Sequence, residues 1–405
     1  MNDRARHPSR RVQLAATAAV LALAGVVSTY AGPGGAASAM SGQFHAVSCT
    51  SATFCAAVGE QATSNGGSAT LAERWNGNTW AIVSSSNPAG SKFSRLYGAS
   101  CTSPSNCFAV GSQYNATTRV SKTLIERWNG KAWSIAADAV LPGMSISAFL
   151  FGVACTSTTF CFAVGQRSVS GAVGTTVLAE RWNGHGWSLV TTPTIANARF
   201  LRLNGVSCAS TRHCVGIGDY LPPDGRALTL AEHWNGTALT RVPSATTGEL
   251  GEGDLLVSVS CASPSSCIAA GEYELGGVGR PATLVEQWSG KSWKIVTSAD
   301  PARSYSALEG VSCKSATSCV AVGRYQKPRN RFDFGPTMTL VERWDGKKWS
   351  ITSSPNPGAK VSDLGAVSCW NTTRCFAVGT QTNASTTQTL TERGTGGTWT
   401  VVASP

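Results

Sequence analysis

Fourteen cysteines are the residues of this 405-residue chain whose type and spacing most directly imply chemistry. They fall into seven pairs with five residues between partners: Cys49 and Cys55, Cys101 and Cys107, Cys155 and Cys161, Cys208 and Cys214, Cys261 and Cys267, Cys313 and Cys319, and Cys369 and Cys375. Zinc sites use cysteines about two to four residues apart with further ligands, whereas only His213 lies inside one of these loops. The pattern therefore favours seven local disulfides, which persist in oxidising compartments, and predicts no metal site.

A glutamate recurs once per cysteine pair, one or two residues before a tryptophan or its replacement: Glu73, Glu126, Glu180, Glu232, Glu286, Glu342 and Glu392. Carboxylates can act as general acids or hold cations. A catalytic pair, however, needs two carboxylates in different environments, and a repeat gives every copy the same one. We expect these glutamates to be structural partners of arginine side chains or backbone amides.

Known catalytic constellations are not found in the sequence. Copper-oxidase chemistry needs histidine and tyrosine ligands and a free cysteine, but the cysteines are paired, and His45, His185, His213 and His233 are scattered. No nucleophile elbow, phosphate loop or metal-binding histidine pair is present. No cofactor is predicted, and no catalytic residue is assigned.

The elements that must position these residues repeat with the cysteines, at intervals of 52 to 56 residues. Each unit divides into four short strands, a to d, which in unit two cover 96–100, 107–111, 123–128 and 133–136. Asn-Gly or a related turn joins strands c and d. Four strands in each of seven units predict an all-β, seven-bladed β-propeller, with antiparallel strands and one disulfide per blade. A linear solenoid is the alternative, although the end units lack the atypical caps that solenoids need.

Tryptophans lie in pairs, five residues apart, on either side of the c–d turn in five units: Trp75 and Trp80, Trp128 and Trp133, Trp182 and Trp187, Trp288 and Trp293, and Trp344 and Trp349. We expect them to be cross-strand neighbours or to pack between blades. Platforms for stacking sugars are the alternative.

The order of these motifs resembles a known repeat. Units carry Val-Ser-Cys, then Ala-Val-Gly, then Glu-Arg-Trp-Asn-Gly and a Trp-led strand, as in Val47-Ser48-Cys49 and Ala57-Val58-Gly59. This order is similar to the kelch-like repeats of galactose-oxidase-like β-propellers, and looks closest to the secreted, Cys-paired repeat proteins of actinobacteria. The resemblance covers about residues 42 to 405 and implies the fold but no activity. Kelch repeats carry two adjacent glycines where this chain has one.

The first forty residues have the pattern of an export signal. Four arginines precede an apolar run from about Leu14 to Val27, and Ala37-Ser38-Ala39 fits a cleavage site. We therefore expect a signal peptide over 1–39 and a seven-bladed propeller over 40–405, with units at about 42–92, 93–145, 146–199, 200–252, 253–304, 305–360 and 361–405. Ordinary secretion, to the medium or the cell wall, is favoured over the twin-arginine route that Arg10-Arg11 suggests.

Composition narrows the partners further. With 42% hydrophobic and 14% charged residues, the chain is not disordered. The formal charge of +11 is moderate and spread over the units, so nucleic acid is not expected. No later apolar run approaches the length of a transmembrane anchor, and a monomer is expected.

Irregular segments lie only in the b–c and d–a connections, which emerge together on one face of a propeller. Loops that vary on a fixed scaffold carry specificity. The candidate ligand-binding residues on this variable-loop face are Tyr220, Asp224 and Arg226 in unit four, and Tyr325, Lys327, Arg329, Arg331, Phe332 and Phe334 in unit six. Arginine with aromatic residues suits an anionic or carbohydrate partner.

These features favour a secreted binding or scaffolding module that recognises a glycan, an anionic cell-wall polymer or a protein. The alternative is a glycan-active hydrolase or lyase at the mouth of the central channel, which would need two non-equivalent acids in one pocket. The irregular segments offer only Asp219, Asp224, Glu272 and Asp333 for that role.

Overall fold

The structure of the protein is a computed structural model that describes residues 41–141, 145–171, 173–247, 253–275, 280–301, 304–329, 334–384 and 386–405. The expected signal peptide lies outside these residues. The described chain is all-β, with 28 strands and no helix. Accordingly, no helix that could span a membrane is found among the described residues.

The strands follow one another as seven meanders of four, labelled a to d by their place in the unit. The a strands are β1 (Gly42–Ser51), β5 (Ser91–Ser103), β9 (Ser145–Ser157), β13 (Arg199–Ser210), β17 (Asp254–Ser263), β21 (Tyr305–Ser315) and β25 (Val361–Cys369). The b strands are β2 (Phe54–Ala62), β6 (Asn106–Asn115), β10 (Phe160–Val169), β14 (His213–Leu221), β18 (Ser266–Leu275), β22 (Ser318–Pro328) and β26 (Arg374–Asn383). The c strands are β3 (Ser68–Trp75), β7 (Val120–Trp128), β11 (Thr176–Trp182), β15 (Leu228–Trp234), β19 (Arg280–Trp288), β23 (Phe334–Trp344) and β27 (Thr386–Thr395). The d strands are β4 (Trp80–Ile82), β8 (Trp133–Ile135), β12 (Trp187–Leu189), β16 (Leu239–Val242), β20 (Trp293–Ile295), β24 (Trp349–Ile351) and β28 (Thr398–Val401).

Within each unit the strands pair antiparallel in the order a-b-c-d. The two cysteines of a unit lie directly opposite each other at the a–b hairpin, as Cys49 does Cys55. All seven disulfides are formed, with Cα atoms 3.9 to 4.0 Å apart. The disulfide prediction is therefore confirmed. Bonds of this kind are typical of an oxidising compartment.

The c–d turns follow from the Asn-Gly motif. In unit one, the Asn76 side-chain oxygen accepts hydrogen bonds from the backbone N–H groups of Asn78 and Thr79, both at 2.9 Å. Gly77 has φ = 102°, which residues with a Cβ rarely adopt. The turn and the disulfide hairpin leave each unit on the same side, opposite the b–c and d–a connections.

Consecutive units pack through aromatic side chains. The tryptophans of a pair have ring centres 5.6 to 5.9 Å apart across the c–d hairpin. Phe108 of unit two lies 5.1 Å from Trp182 and 5.3 Å from Trp187 of unit three. The paired tryptophans are buried, so they pack both within and between units. No ring face remains for a sugar.

The last unit makes the same contact with the first. Phe376 of unit seven lies 5.0 Å from Trp75 and 5.2 Å from Trp80 of unit one. Each a strand also packs beside the a strand of the next unit, and β1 packs against β25. The backbone pairs do not join all the units into one closed sheet. The arrangement is thus propeller-like, with neighbouring units held mainly by side chains.

The Val-Ser-Cys motif provides a second link between units. The Ser48 hydroxyl of unit one accepts a hydrogen bond from the backbone N–H of Cys101 in unit two, at 2.9 Å. The equivalent bond from Cys49 to Ser368 joins units one and seven, also at 2.9 Å. The link is absent between units three and four, where Ala154 replaces the serine. The serine therefore acts between units rather than in the disulfide hairpin.

The recurring glutamates provide a third link. Each is buried, and in five units it accepts a hydrogen bond from a serine hydroxyl that follows the d strand of the preceding unit. These serines are Ser85, Ser244, Ser298, Ser354 and Ser404. Backbone N–H groups add a bond in three units, as Ala245 does to Glu286, and the N–H of Ala139 donates to Glu180 at 3.2 Å. The hydrogen-bond partners among the described residues are thus serines and backbone amides. No arginine there forms an ion pair with these glutamates, and Arg241 acts on Glu232 through its charge alone.

Burial raises the pKa of these carboxyls. It reaches about 7 for Glu73, Glu126, Glu286 and Glu392, although the serine hydrogen bonds oppose the rise. The folded chain therefore binds more protons than the unfolded chain between about pH 4.5 and pH 7. Consequently, the stability that these groups contribute is complete below about pH 4.5 and is lost as the pH rises to about 7.

Replacing Glu286 with glutamine should flatten this pH dependence. The variant loses one proton-binding group, so the difference between its free energy of unfolding and that of the parent should change by up to about 1.4 kcal/mol per pH unit between pH 5 and 7. Urea unfolding at pH 5, 6, 7 and 8 measures this difference. Asp224→Asn, at an exposed carboxylate, is the control. Parallel curves for parent and Glu286→Gln would contradict the assignment.

Replacing Ser404 with alanine should weaken the contact between the last and first units. The Ser404 hydroxyl donates to both carboxylate oxygens of Glu73, at 2.9 and 2.8 Å, and its loss leaves a buried acceptor unpaired. We expect a loss of about 1–3 kcal/mol in the free energy of unfolding. Ser350→Ala, which removes a single exposed hydrogen bond within unit six, should cost less than about 0.5 kcal/mol. Equal small losses would show that the link is unimportant.

Candidate functional site

One bulge interrupts each a strand at the same place. Two residues of the a strand face one residue of strand b there, four positions before the first cysteine. The bulged residues are His45, Tyr97, Phe151, Asn204, Val257, Glu309 and Gly365. They differ in every unit, whereas the strands around them repeat. Bulges often re-aim side chains at functional sites.

The Val-Gly motif accommodates the bulge. A Cβ atom on Gly59 would overlap the carbonyl oxygen of Gln43 in the bulged strand, and one on Gly111 would overlap that of Arg95. The same clash occurs at the equivalent glycine of every unit. The constant glycine therefore allows close approach of strand b to strand a, and the bulge next to it carries the variable residue.

Two further variable positions flank each bulge, and they pair directly across strands a and b. The a-strand residues are Gln43, Arg95, Phe149, Arg202, Leu255, Ala307 and Asp363. Their b-strand partners are Glu60, Ser112, Gln166, Asp219, Glu272, Arg324 and Thr380. We call these residues, together with the bulged residues, the inner ring.

Inner-ring side chains of neighbouring units touch one another. The ring centres of His45 and Tyr97 are 5.5 Å apart, and those of Tyr97 and Phe151 are 5.7 Å apart. The Asn204 amide of unit four donates to the carbonyl oxygen of Leu256 in unit five, at 2.8 Å. These contacts join the inner-ring side chains of units one to three, and they lie on the a strands toward the variable-loop face.

Glu60 is the centre of a charged cluster in units one and two. It is buried, and Arg95 Nε lies 2.6 Å from one carboxylate oxygen. Gln43 donates to the other at 2.8 Å, and His45 Nε2 lies 3.6 Å from it. Burial opposes the ionisation of Glu60, but the nearby His45 and Arg95 outweigh it and hold the pKa at about 2. A similar pair in unit four joins Arg202 to Asp219 at 2.8 Å.

Arg324 is the centre of a second cluster. Its guanidinium lies 2.8 Å from Glu309 and 3.2 Å from Asp363 of the next unit. Burial raises the pKa of Glu309 to about 7, although Arg324 opposes the rise. Burial also raises the pKa of Glu272. Burial of the Arg324 guanidinium opposes its ionisation, but the three carboxylates outweigh this effect and raise its pKa. Arg324 therefore stays charged. The three acids thus occupy different environments around one cation.

A cleft of about 190 Å³ opens beside this cluster, between units five and six. Glu272 and Arg324 form its charged part, and Tyr305 and Tyr325 its aromatic part. Of the three carboxylates that raise the pKa of Arg324, Glu272 is the one that lines the cleft. The combination of aromatic rings with a few convergent polar groups is typical of ligand sites, and the volume admits one sugar residue or one side chain.

The unit-six residues predicted from the sequence border this cleft in part. Tyr325 lines it, and Phe334 packs edge-on against Tyr305 with ring centres 4.7 Å apart. Lys327 Nζ lies 6.0 Å from the centre of the Tyr325 ring, and Arg329, two residues further along the chain, is exposed. Arg331, Phe332 and Asp333 lie outside the described residues.

The unit-four residues predicted from the sequence do not line this cleft. Tyr220 is buried, and its hydroxyl accepts a hydrogen bond from Arg241 at 2.9 Å. Asp224 is exposed and accepts a bond from the backbone N–H of Arg226 at 3.2 Å, which stabilises the turn. Asp219, one of the acids considered for catalysis, is paired with Arg202. Of these acids, Glu272 is the one among the described residues that lines the cleft.

Most of the inner ring was missed by reasoning from the sequence. The available signal was the variation at the fourth position before each first cysteine, within an otherwise constant motif. This variation lies at a single position inside a strand, whereas variable sites are expected in irregular loops. Across the described residues, no group of three or more histidine, cysteine or acidic side chains converges as a metal site.

Comparisons with known proteins give structural neighbours only. No family model and no curated protein matches the chain. A structure of YCF48 bound to D1 peptide is similar over 88% of this chain and 93% of its own, at 10% identity and a TM-score of 0.47. The structure of an ulvan lyase bound to a GlcA–Rha3S saccharide is similar over 79% of this chain and 83% of its own, at 8% identity and a TM-score of 0.48. The structure of the fucose-specific lectin from Aleuria aurantia is similar over 77% of this chain and 95% of its own, at 12% identity and a TM-score of 0.35. These neighbours are propeller proteins, and likeness this distant does not indicate a ligand for this chain.

Loss of Arg95 and loss of Glu60 should lower the free energy of unfolding by different amounts. At pH 7, Arg95→Gln leaves a buried carboxylate without its cation and should cost about 2–4 kcal/mol of unfolding free energy. Glu60→Gln should cost less, because the Arg95 side chain is 26% exposed and can be hydrated. The Arg95→Gln penalty should shrink below about pH 4.5, where Glu60 can take up a proton. Denaturant unfolding at pH 3 and 7 tests this, and equal, pH-independent losses would contradict it.

Proposed function

We propose that the protein is a secreted binding module, built as a closed seven-bladed propeller over residues 40–405 behind a signal peptide at 1–39. Closure is supported by three contacts that unit seven makes with unit one: Phe376 with the tryptophan pair, Ser368 with Cys49, and Ser404 with Glu73. Each repeats a contact seen between consecutive units. The seven disulfides support an oxidising, extracytoplasmic location.

The ligand is proposed to bind at the inner ring and the adjoining cleft. One observation carries this proposal: the variation between units is concentrated in residues that touch one another, while the frame that holds them is constant. A scaffold with fixed geometry and variable convergent side chains is how repeat folds form specific sites. The ring around the channel mouth then provides the binding surface, and the unit-six loop provides its rim.

A glycan fits this site better than an anionic polymer. The three inner-ring arginines are each held by carboxylates, so their charge is already balanced. Paired carboxylates and guanidiniums can still exchange hydrogen bonds with sugar hydroxyls, and Tyr305 offers a ring beside them. An anionic wall polymer would instead have to bind the exposed basic residues of the unit-six loop.

The binding test uses purified protein on a glycan array and on isolated cell-wall fractions, at about 0.05 and 0.5 M salt. Glu272→Gln, which keeps the shape of the side chain that lines the cleft, should lower affinity for the bound glycan about tenfold. Lys131→Gln, in an exposed turn on the opposite face, should leave it unchanged. Binding should also vary little with salt.

Other outcomes would overturn parts of the proposal. Unchanged binding by Glu272→Gln and Tyr305→Ala would exclude the cleft. Salt-sensitive binding that is lost in Arg329→Ala would instead locate an anionic partner on the loop. Absence of binding to any fraction would exclude a glycan and leave a protein partner.

A glycan hydrolase or lyase is the second candidate, and one observation favours it. Glu309, with its pKa raised to about 7, and Asp363 share Arg324 in different environments, as a general acid and its partner require. Release of reducing ends or unsaturated sugars from wall fractions, abolished by Glu309→Gln, would establish it. Binding without product release would leave the protein a binding module.

A further inference from the structure

Two histidines that are distant in sequence meet in unit four. His213 begins strand β14 inside the loop closed by the disulfide of Cys208 and Cys214, and His233 lies in strand β15. Their ring nitrogens, Nδ1 of His213 and Nε2 of His233, are 2.8 Å apart. The ring centres are 4.2 Å apart and the planes are inclined at 56°. This pair lies on the disulfide-loop side of the unit, away from the inner ring.

The two distances together show that the pair is bent. If one imidazole donated straight into the lone pair of the other, the ring centres would lie about 5 Å apart at this nitrogen separation. Two imidazoles that bind one metal ion at about 2.1 Å and at a right angle have nitrogens about 3.0 Å apart and ring centres about 4.6 Å apart. The observed values are closer to the second arrangement. The two nitrogens are therefore close enough for one metal ion to replace the hydrogen bond between them after a small shift of the rings.

One member of the pair, His233, departs from a repeated position. In unit two the same two places hold Asn106 and Arg127, whose side chains are joined by a hydrogen bond of 3.3 Å. The arginine position is arginine in five units, glutamine in unit five and histidine only in unit four. The position of His213 varies between units, and only in unit four do both positions hold histidine, which is a common ligand of transition metals.

The state of the histidines suits metal binding. Both are half-buried, so an ion could reach them from solvent and complete its coordination with water. Burial lowers the pKa of both imidazoles. His213 Nε2, the nitrogen that faces away from the pair, has no hydrogen-bond partner.

We propose that His213 and His233 form a two-histidine chelate for one divalent transition-metal ion. Imidazole pairs suit Cu²⁺, Ni²⁺ and Zn²⁺, with Cu²⁺ bound most tightly, and not the oxygen-preferring Mg²⁺ or Ca²⁺. The site is independent of the proposed glycan site, since it lies on the opposite face and uses none of its residues.

Titration calorimetry on protein purified without a histidine tag tests the proposal. Cu²⁺, Ni²⁺ and Zn²⁺ should each bind at one ion per chain, with a dissociation constant below about 100 µM for Cu²⁺, whereas Mg²⁺ and Ca²⁺ should not bind. The double variant His213→Asn with His233→Arg rebuilds the unit-two pair. It should keep the thermal stability of the parent and lose at least tenfold in affinity.

A second control separates this pair from the other histidines. His185→Asn, in the c–d turn of unit three, should bind Cu²⁺ as the parent does. The proposal is overturned if the double variant still binds one ion with parental affinity, or if the folded parent binds none of the three metals at 1 mM. Electron paramagnetic resonance of the Cu²⁺ complex should show two nitrogen ligands in the parent and fewer in either single variant.

Discussion

The contact between one unit and the tryptophan pair of the next is the interaction on which the rest of the structure depends. A four-stranded meander is too small to bury both of its faces, so each unit needs neighbours on either side. Phe108 against Trp182 and Trp187 shows the interface in the interior, and Phe376 against Trp75 and Trp80 shows it again between the ends. Where the aromatic is absent, smaller apolar residues such as Val215 and Ile268 take the same place in the core.

The polar links add direction to this apolar contact. A buried carboxylate is costly unless it is hydrogen-bonded, so Glu286 is stable only when Ser244 and Ala245 of the preceding unit lie against it. Two apolar surfaces can slide against each other at little cost, whereas these hydrogen bonds form only when the two neighbouring units are aligned in one position. Glu180 and Glu232 accept no serine hydrogen bond among the described residues, and each has an oxygen without a partner, as Glu126 and Glu392 also do. Phe108 still packs against Trp182, and Phe162 against Trp234, at these two interfaces. The contact between units therefore persists where the serine bond is missing.

Much of the fold followed from the sequence because each motif has a local mechanism. The cysteine spacing fixed the a–b hairpin, and Asn-Gly fixed the c–d turn, since both act within a few residues. The strands proved longer than predicted, as β5 begins at Ser91 instead of Leu96, because pairing continues into polar residues that hydrophobic patterns do not register. The partner of Glu286 was not predictable, since it depends on which serine of the preceding unit lies close to it.

The inner ring was less accessible for the same reason. A bulge shifts the alternation of inward and outward side chains by one residue, so a regular period misplaces Tyr97 and Glu309. Besides the variation at the bulged position, the sequence marks the bulge by the constant glycine of the facing strand, such as Gly111, because a Cβ there would overlap the a strand. Similarly, His213 and His233 are twenty residues apart in sequence and become neighbours only through the b–c register. In this chain the repeated residues specify the scaffold, and the functional candidates lie where single positions break the repeat while the backbone around them does not.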